Sequence, residues 1–200
     1  MISIVIAEDQ SLLRGALAAL LSLEPDIDLL AQAQDGEEAV RLVQDLKPDV
    51  LVTDIEMPGL TGIEASEALR QAGSSTRVLI VTTFARPGYL QRALQAGVLG
   101  YVLKDAPSEE LADAVRRVAQ GQRAVAAELA ESAWSAPVML TARERDILKL
   151  VEEGKSNKEI ARTLSLSPGT VRNYLADATQ KLGAANRIEA FQIARENGWL

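Results

Sequence analysis

The sequence predicts an α/β domain built on a parallel sheet, followed by a smaller all-α domain. Three observations predict it. Residues 1–120 alternate short, β-branched apolar runs with stretches of helical period, five times over. The middle runs lack polar alternation, as strands covered on both faces should. From residue 140 onward the apolar residues recur at helical spacing, with turn residues between the runs.

The predicted strands are residues 2–7 (ISIVIA), 27–33 (IDLLAQA), 49–54 (DVLVTD), 77–83 (RVLIVTT) and 100–104 (GYVLK). Helical patterns fill residues 11–23, 36–46, 62–71, 87–96 and 108–120. Gly36 opens one helix, Pro48 precedes a strand, Gly73 and Gly97 end helices, and Pro107 with Ser108 starts the last. Five such units predict a doubly wound parallel sheet in the order 2-1-3-4-5. Residues 121–137 are Ala-rich, have no clear strand and contain Pro137, and read as a partly helical linker. Residues 142–153, 157–164, 168–182 and 186–197 read as four helices, punctuated by Gly154, residues 165–167 and Gly183. The division is therefore 1–120, 121–137 and 138–200.

Composition narrows the chemistry. The chain has no Cys, so it has no disulfide frame and no thiol nucleophile, which suits a reducing, cytoplasmic setting. It has no His, so the commonest general base and transition-metal ligand are missing. Metal chemistry here rests on carboxylates, which favour hard cations such as Mg²⁺. The apolar run 2–7 meets Glu8 and Asp9 and is too short for a leader or a membrane span. The net charge of −7 is uneven: residues 138–200 carry +2 and residues 1–137 carry −9. A mildly basic domain tethered to an acidic one fits a nucleic-acid binder with a control domain.

The polar residues that interrupt the apolar runs sit at strand carboxyl ends. Glu8 and Asp9 follow the first strand, Asp54 ends the third, Thr82 ends the fourth and Lys104 ends the fifth. In this sheet order the first and third strands are neighbours, and ligands bind in the crevice at that switch point. Three converging carboxylates need a cation, and oxygen-only ligation points to Mg²⁺. With a hydroxyl and an ammonium nearby, the set suits phosphoryl transfer, with Asp54 as the nucleophile.

IAEDQ (6–10), DIEMPGLTG (54–62), VTTFA (81–85) and GYVLKDA (100–106) together resemble the receiver domain of two-component response regulators over residues 1–120. The resemblance implies a flavodoxin-like (βα)5 fold in which Asp54 accepts phosphate from a sensor histidine kinase. It implies Mg²⁺ on Glu8, Asp9, Asp54 and the main-chain carbonyl of Glu56. It also implies that Lys104 pairs with the phosphoryl group, Thr82 hydrogen-bonds it, and Tyr101 turns inward behind Thr82. The resemblance implies further that Pro58 and Gly59 shape the loop, and that position 56 and Thr83 tune dephosphorylation. The receiver would catalyse its own phosphotransfer and would not be an enzyme acting on other substrates.

In the second domain, Thr141 with Glu144 predicts a capping box, and Ser167 with Pro168 a helix start. A helix, a tight turn over residues 164–167 and a second helix form the geometry that seats the later helix in a major groove. Gly169, Thr170, Arg172, Asn173 and Ala176 would be exposed early in that helix. Arg172 and Asn173 are of the types that read guanine and adenine, while Lys158 and Lys181 suit phosphates. LTARERDILKLV, SNKEIA, SPGTVRNYL and KLGAANRIEA resemble the LuxR/FixJ/NarL-type DNA-binding domain over residues 138–200. Tyr174 and Ala176 depart from the common His and basic residue, so base preference does not carry over. The resemblance implies a transcription regulator, with Ser167 and Gly169 among its DNA contacts and RNA polymerase as a partner. TTFARPGY (82–89), PSEELA (107–112), GTVRNY (169–174) and NRIEA (186–190) are similar to one branch that controls a fatty-acid desaturase gene, which implies membrane-lipid genes as targets.

The first receiver helix carries more apolar residues than one core stripe needs. That predicts a dimer when phosphorylated, through Leu13, Leu17, Leu20 and, on the fifth helix, Val115. Two rivals remain open at this stage: a Mg²⁺-dependent phosphatase using the same carboxylates, and an interaction module whose last helices bind protein.

Overall fold

The computed structural model describes residues 1–83, 86–126 and 140–200, which form two units. The first unit holds β1 (Ile2–Ala7), α1 (Ser11–Ser22), β2 (Ile27–Ala33), α2 (Gly36–Leu46), β3 (Val50–Thr53) and α3 (Gly62–Gln71). The chain then continues with β4 (Arg77–Thr82), α4 (Pro87–Gln95), β5 (Gly100–Leu103), α5 (Ser108–Ala119) and β6 (Ala124–Val125). All strands pair in parallel, in the order β2-β1-β3-β4-β5-β6.

Alternate strand residues serve opposite layers, which is why the middle runs are apolar throughout. Ile4, Ile6, Val52 and Val81 share one core cluster with Leu21 of α1 and Val118 of α5. Val5, Leu51 and Ile80, one residue out of phase, are equally buried and face the other layer. Local signals set the helix ends. Asp35 caps α2 by accepting from the Glu38 N–H at 2.7 Å, and Thr61 and Glu64 close a capping box on α3.

The expected fold class and sheet order hold, and the sheet gains one strand. Ala124 and Val125 pair with Gly100 and Tyr101, inside the stretch read as a strandless linker. Two residues are too few to show alternation, so the sequence pattern carries no trace of them. The expected partial helix of the linker, over residues 127–139, lies outside the described residues.

The predicted dimer residues separate on burial. Leu17 and Val115 are buried, and Leu13 packs against the same core. Leu20 is exposed, as are Leu12 on α1 and Leu23 just past its end. The extra apolar surface of α1 is therefore real, but Leu17 and Val115 cannot be part of it. Their spacing matches the core stripe and the exposed stripe equally well.

The second unit contains α6 (Ala142–Glu152), α7 (Asn157–Thr163), α8 (Pro168–Lys181) and α9 (Arg187–Glu196). Ile147, Leu148, Ile160, Val171, Ala178 and Ala190 form the centre of its core. Ser156 with Glu159 makes a capping box on α7, and Thr141 with Glu144 makes the expected one on α6. Glu144 also accepts two hydrogen bonds from Lys181 Nζ, at 2.8 and 2.9 Å, tying the start of α6 to the end of α8. No helix among the described residues is long and apolar enough to cross a membrane.

This tie has a pH signature. Burial pushes the Glu144 carboxyl up, but Lys181 and the Thr141 donors outweigh it and hold the group below its ordinary 4.5. A depressed carboxyl stabilises fully above its unfolded value and loses that contribution as pH falls through the lower folded value. Glu144→Gln should therefore cost about 1.5–3 kcal/mol at pH 7. In urea denaturation the gap from wild type should narrow below the ordinary value; a gap independent of pH would refute the charged pair.

Candidate functional site

Parallel order puts the carboxyl ends of β1, β3 and β5 along one edge, and the acidic residues follow directly from it. Glu8 leaves β1 with its N–H on the Ala33 carbonyl, and the Asp54 N–H is on the Ala7 carbonyl, so the two chains separate together. One carboxylate oxygen from each of Glu8, Asp9 and Asp54 can lie within 4.8 Å of the others. Glu8 and Asp54 are buried and Asp9 is exposed, which leaves one open side.

Lys104, one residue beyond β5, joins the buried pair. Its Nζ donates to Asp54 Oδ2 at 2.8 Å and lies 2.8 Å from Glu8 Oε2, with its side chain only 7% exposed. The contact with Glu8 is an ion pair, and the buried Oε2 has no regular hydrogen bond besides it among the described residues. Burial pushes the Glu8 carboxyl above its usual range despite Lys104. Burial pulls the Lys104 ammonium down, but Asp54 and Glu8 outweigh it and hold it above its ordinary value. Asp54 Oδ1 accepts from the Ile55 N–H at 2.7 Å, which fixes the carboxylate plane.

These donors fit a hard divalent cation. All are oxygens, one is the buried Glu8 Oε2 with the Lys104 ion pair and no regular hydrogen bond, and Asp9 offers another from solvent. Among the described residues this acidic pocket could hold a metal ion. The carbonyl of Glu56, in the exposed turn after β3, is a further oxygen within the same loop. Thr82 is fully buried at the end of β4, Thr83 is exposed, and Tyr101 is 1% exposed. Tyr101 pairs with Ile80 in the β4–β5 ladder, and the Lys104 N–H bonds the Thr82 carbonyl at 2.8 Å. Pro58 and Gly59 stand exposed in the turn, Gly59 with φ of 73°. Residues 84 and 85 of the VTTFA motif lie outside the described residues.

Two residues of this neighbourhood escaped sequence reasoning. Arg14 donates to the Glu8 carbonyl, and Gly62 makes room for Asp54. A Cβ on Gly62 would stand 2.0 Å from the Asp54 carbonyl oxygen. The sequence signals for Gly62 are its place after the Thr61 cap and at the end of the DIEMPGLTG motif; Arg14 gave none.

In the second unit, α7, a turn and α8 take the expected arrangement. Ser165 adopts φ of 54° in the turn, a conformation that glycine holds more easily. Ser167 Oγ accepts from the Thr170 N–H at 3.0 Å and shares a hydrogen with the Thr170 hydroxyl at 2.8 Å. Arg172, Asn173 and Ala176 are exposed along α8, Gly169 is exposed at its start, and Tyr174 is half-buried against the core. Lys158 is exposed on the first turn of α7. Lys181, expected on phosphate, is exposed but engaged with Glu144. Arg187 donates to Asn157 Oδ1 at 3.2 Å, bracing α9 against α7 beside Arg172 and Ala176.

A parallel receiver sheet with an acidic edge, followed by a helix-turn-helix, defines a DNA-binding response regulator, and the comparisons agree. Residues 4–116 match the response regulator receiver domain, and residues 138–194 match the luxR family of bacterial regulatory proteins. The chain belongs to the LuxR-type two-component response regulators, which are transcription regulators. It is 53% identical over 199 residues to the transcriptional regulatory protein DesR of Bacillus subtilis (strain 168), covering 100% of this chain and 99% of DesR. It is 48% identical to YvfU of the same organism, an uncharacterized transcriptional regulatory protein, over 100% of both chains. The crystal structure of ChrA, response regulator of a heme-sensing two-component system, matches with TM-score 0.60 and 36% identity, over 100% of this chain and 98% of ChrA.

The glycine contact is testable without assay of function. Gly62→Ala should cost about 1–3 kcal/mol in urea denaturation, the range for overpacking a tight site. Gly15→Ala is the control, since a Cβ there meets nothing within 4 Å; it should leave stability equal or raise it by up to about 1 kcal/mol. Equal effects of the two would mean that the approach of Gly62 to Asp54 is not a constraint.

Proposed function

We propose that phosphotransfer from a sensor histidine kinase to Asp54 controls dimerisation and DNA binding, and thereby transcription, in the cytoplasm. The observation that carries this reading is the Asp54 carboxylate, 6% exposed, with Lys104 on one oxygen and Glu8 and Asp9 beside it. Mg²⁺ would be held by Glu8, Asp9, Asp54 and the Glu56 carbonyl, and when bound supplies neutralisation of charge on phosphoryl oxygens. An Asp54 oxygen attacks phosphorus as the bond from phosphorus to the kinase's protonated phosphohistidine ring breaks, leaving an acyl phosphate and a neutral imidazole. Lys104 passes from the carboxylates to a phosphoryl oxygen, and the Thr82 hydroxyl donates to another. Tyr101 then holds its inward place behind Thr82, while Thr83 and Glu56 flank the phosphoryl group and set its lifetime.

The dimer forms through the exposed side of α1, on Leu12 and Leu20, with Leu23 just past its end. The DNA-binding residues are Lys158, Ser167, Gly169, Thr170, Arg172, Asn173 and Lys181, and RNA polymerase is the downstream partner. The motif likeness at residues 82–89, 107–112, 169–174 and 186–190 supports membrane-lipid genes among the targets.

Incubation with acetyl phosphate and Mg²⁺, followed by peptide mass mapping, tests the acceptor. Asp54 should carry the label and Asp54→Asn should take none; equal labelling of the mutant overturns the site.

The DNA contacts divide by kind. Arg172→Ala should weaken a cognate duplex by about 1–3 kcal/mol more than random duplex. Lys158→Ala should weaken both alike and flatten the salt dependence. Lys158 is preferred to Lys181 here because removing Lys181 also breaks its tie to Glu144. Equal losses on both duplexes with Arg172→Ala would make that residue another phosphate contact.

A further inference from the structure

Arg14 takes no part in the chemistry proposed for Asp54, yet it sits directly behind the acidic pair. It lies on the first turns of α1, half-buried, and turns back toward the loop from which the helix starts. Its Nη1 donates to the main-chain carbonyl of Glu8 at 2.5 Å and to that of Asp9 at 3.4 Å. Among the described residues no main-chain N–H bonds either carbonyl, so the guanidinium is their donor. A guanidinium fork matches carboxylates better than single carbonyls. Two carboxylates belong to these same residues, and among the described residues Arg14 forms an ion pair with neither.

We propose that Arg14 is a positioning residue for the cation site. It holds the peptide groups of Glu8 and Asp9 from behind, so that both carboxylates turn toward Asp54 with their charge left for a cation. The proposal rests on the reading of Glu8, Asp9 and Asp54 as cation ligands. Lys104 contrasts with it: that ammonium touches Glu8 and Asp54 directly and competes with a cation for them. Arg14 approaches from the carbonyl side and need not move when a cation enters. Without it two adjacent acids at a strand end, repelling each other and Asp54, are free to swing their loop outward. The Gln10 N–H on Glu8 Oε1, at 3.2 Å, then remains as a local restraint on the Glu8 side chain.

The test is an Mg²⁺ titration of the full ¹⁵N-labelled chain, followed by amide shifts at Glu8, Asp9 and Asp54. Arg14→Ala and Arg14→Met should raise the half-saturating Mg²⁺ roughly tenfold, as loss of a group that orients metal ligands does. Arg14→Met keeps the aliphatic stem, so it reports the missing donor even where Arg14→Ala folds poorly. Arg14→Lys, which keeps the charge and one donor, should recover part of the loss. At saturating Mg²⁺ all variants should reach the same bound-state shifts and take label from acetyl phosphate. Wild-type half-saturation in Arg14→Met overturns the proposal. If the wild-type chain itself shows no Mg²⁺-dependent shifts at these residues, the cation site falls, and the role of Arg14 with it.

Discussion

Two buried carboxylates and a third at the solvent edge stand close together at the carboxyl end of this sheet, and one ammonium lets them stay there. Lys104 Nζ lies 2.8 Å from both Glu8 and Asp54. Unpaired, either acid would pay a large desolvation cost or take up a proton. The surrounding structure serves this pairing. The order of β1, β3, β4 and β5 sets the spacing of the strand ends, and Gly62 lets the Asp54 backbone lie close to α3. One ammonium does not offset three carboxylates, and the buried Glu8 Oε2 has the Lys104 ion pair but no regular hydrogen bond, so the arrangement is incomplete in charge and in hydrogen bonds. That incompleteness is what a divalent cation and a phosphoryl group can satisfy.

The same pairing explains how chemistry at Asp54 could move structure elsewhere. A ligand shifts a two-state equilibrium only by its differential interaction with the two states. In the proposed reaction a phosphoryl group would change the partners of Lys104 and of the buried Thr82 hydroxyl, at the ends of β5 and β4. The chain leaving the receiver returns beside β5, since Ala124 and Val125 pair with Gly100 and Tyr101. The strand that carries Tyr101 is thus also the strand on which the segment after α5 begins.

The acidic site was legible because its residues interrupt apolar strands at one end, and no core role explains such interruptions. The helix-turn-helix was legible through Ser167, Pro168 and the spacing of Ile160, Val171 and Leu175. Other features left no trace in the pattern. Leu17 and Leu20 share a helix and an apolar character, but only coordinates separate the buried one from the exposed one. Lys181 looks like any surface lysine until Glu144, thirty-seven positions away, is found beneath it. Arg14 bonds main-chain carbonyls, which have no residue identity for spacing to reveal. The two residues of β6 span a single period of a strand, too short for an alternation to show.

The central claim is that the state of Asp54 sets the affinity of α8 for DNA. The direct measurement is a binding titration of the full chain on a selected duplex, with and without acetyl phosphate and Mg²⁺, with Asp54→Asn in parallel. The account predicts that phosphorylation tightens binding of the wild-type chain at least tenfold, about 1.4 kcal/mol, and leaves Asp54→Asn unchanged. Equal affinity of the phosphorylated and unphosphorylated wild-type chain, or equal tightening of Asp54→Asn, would contradict it.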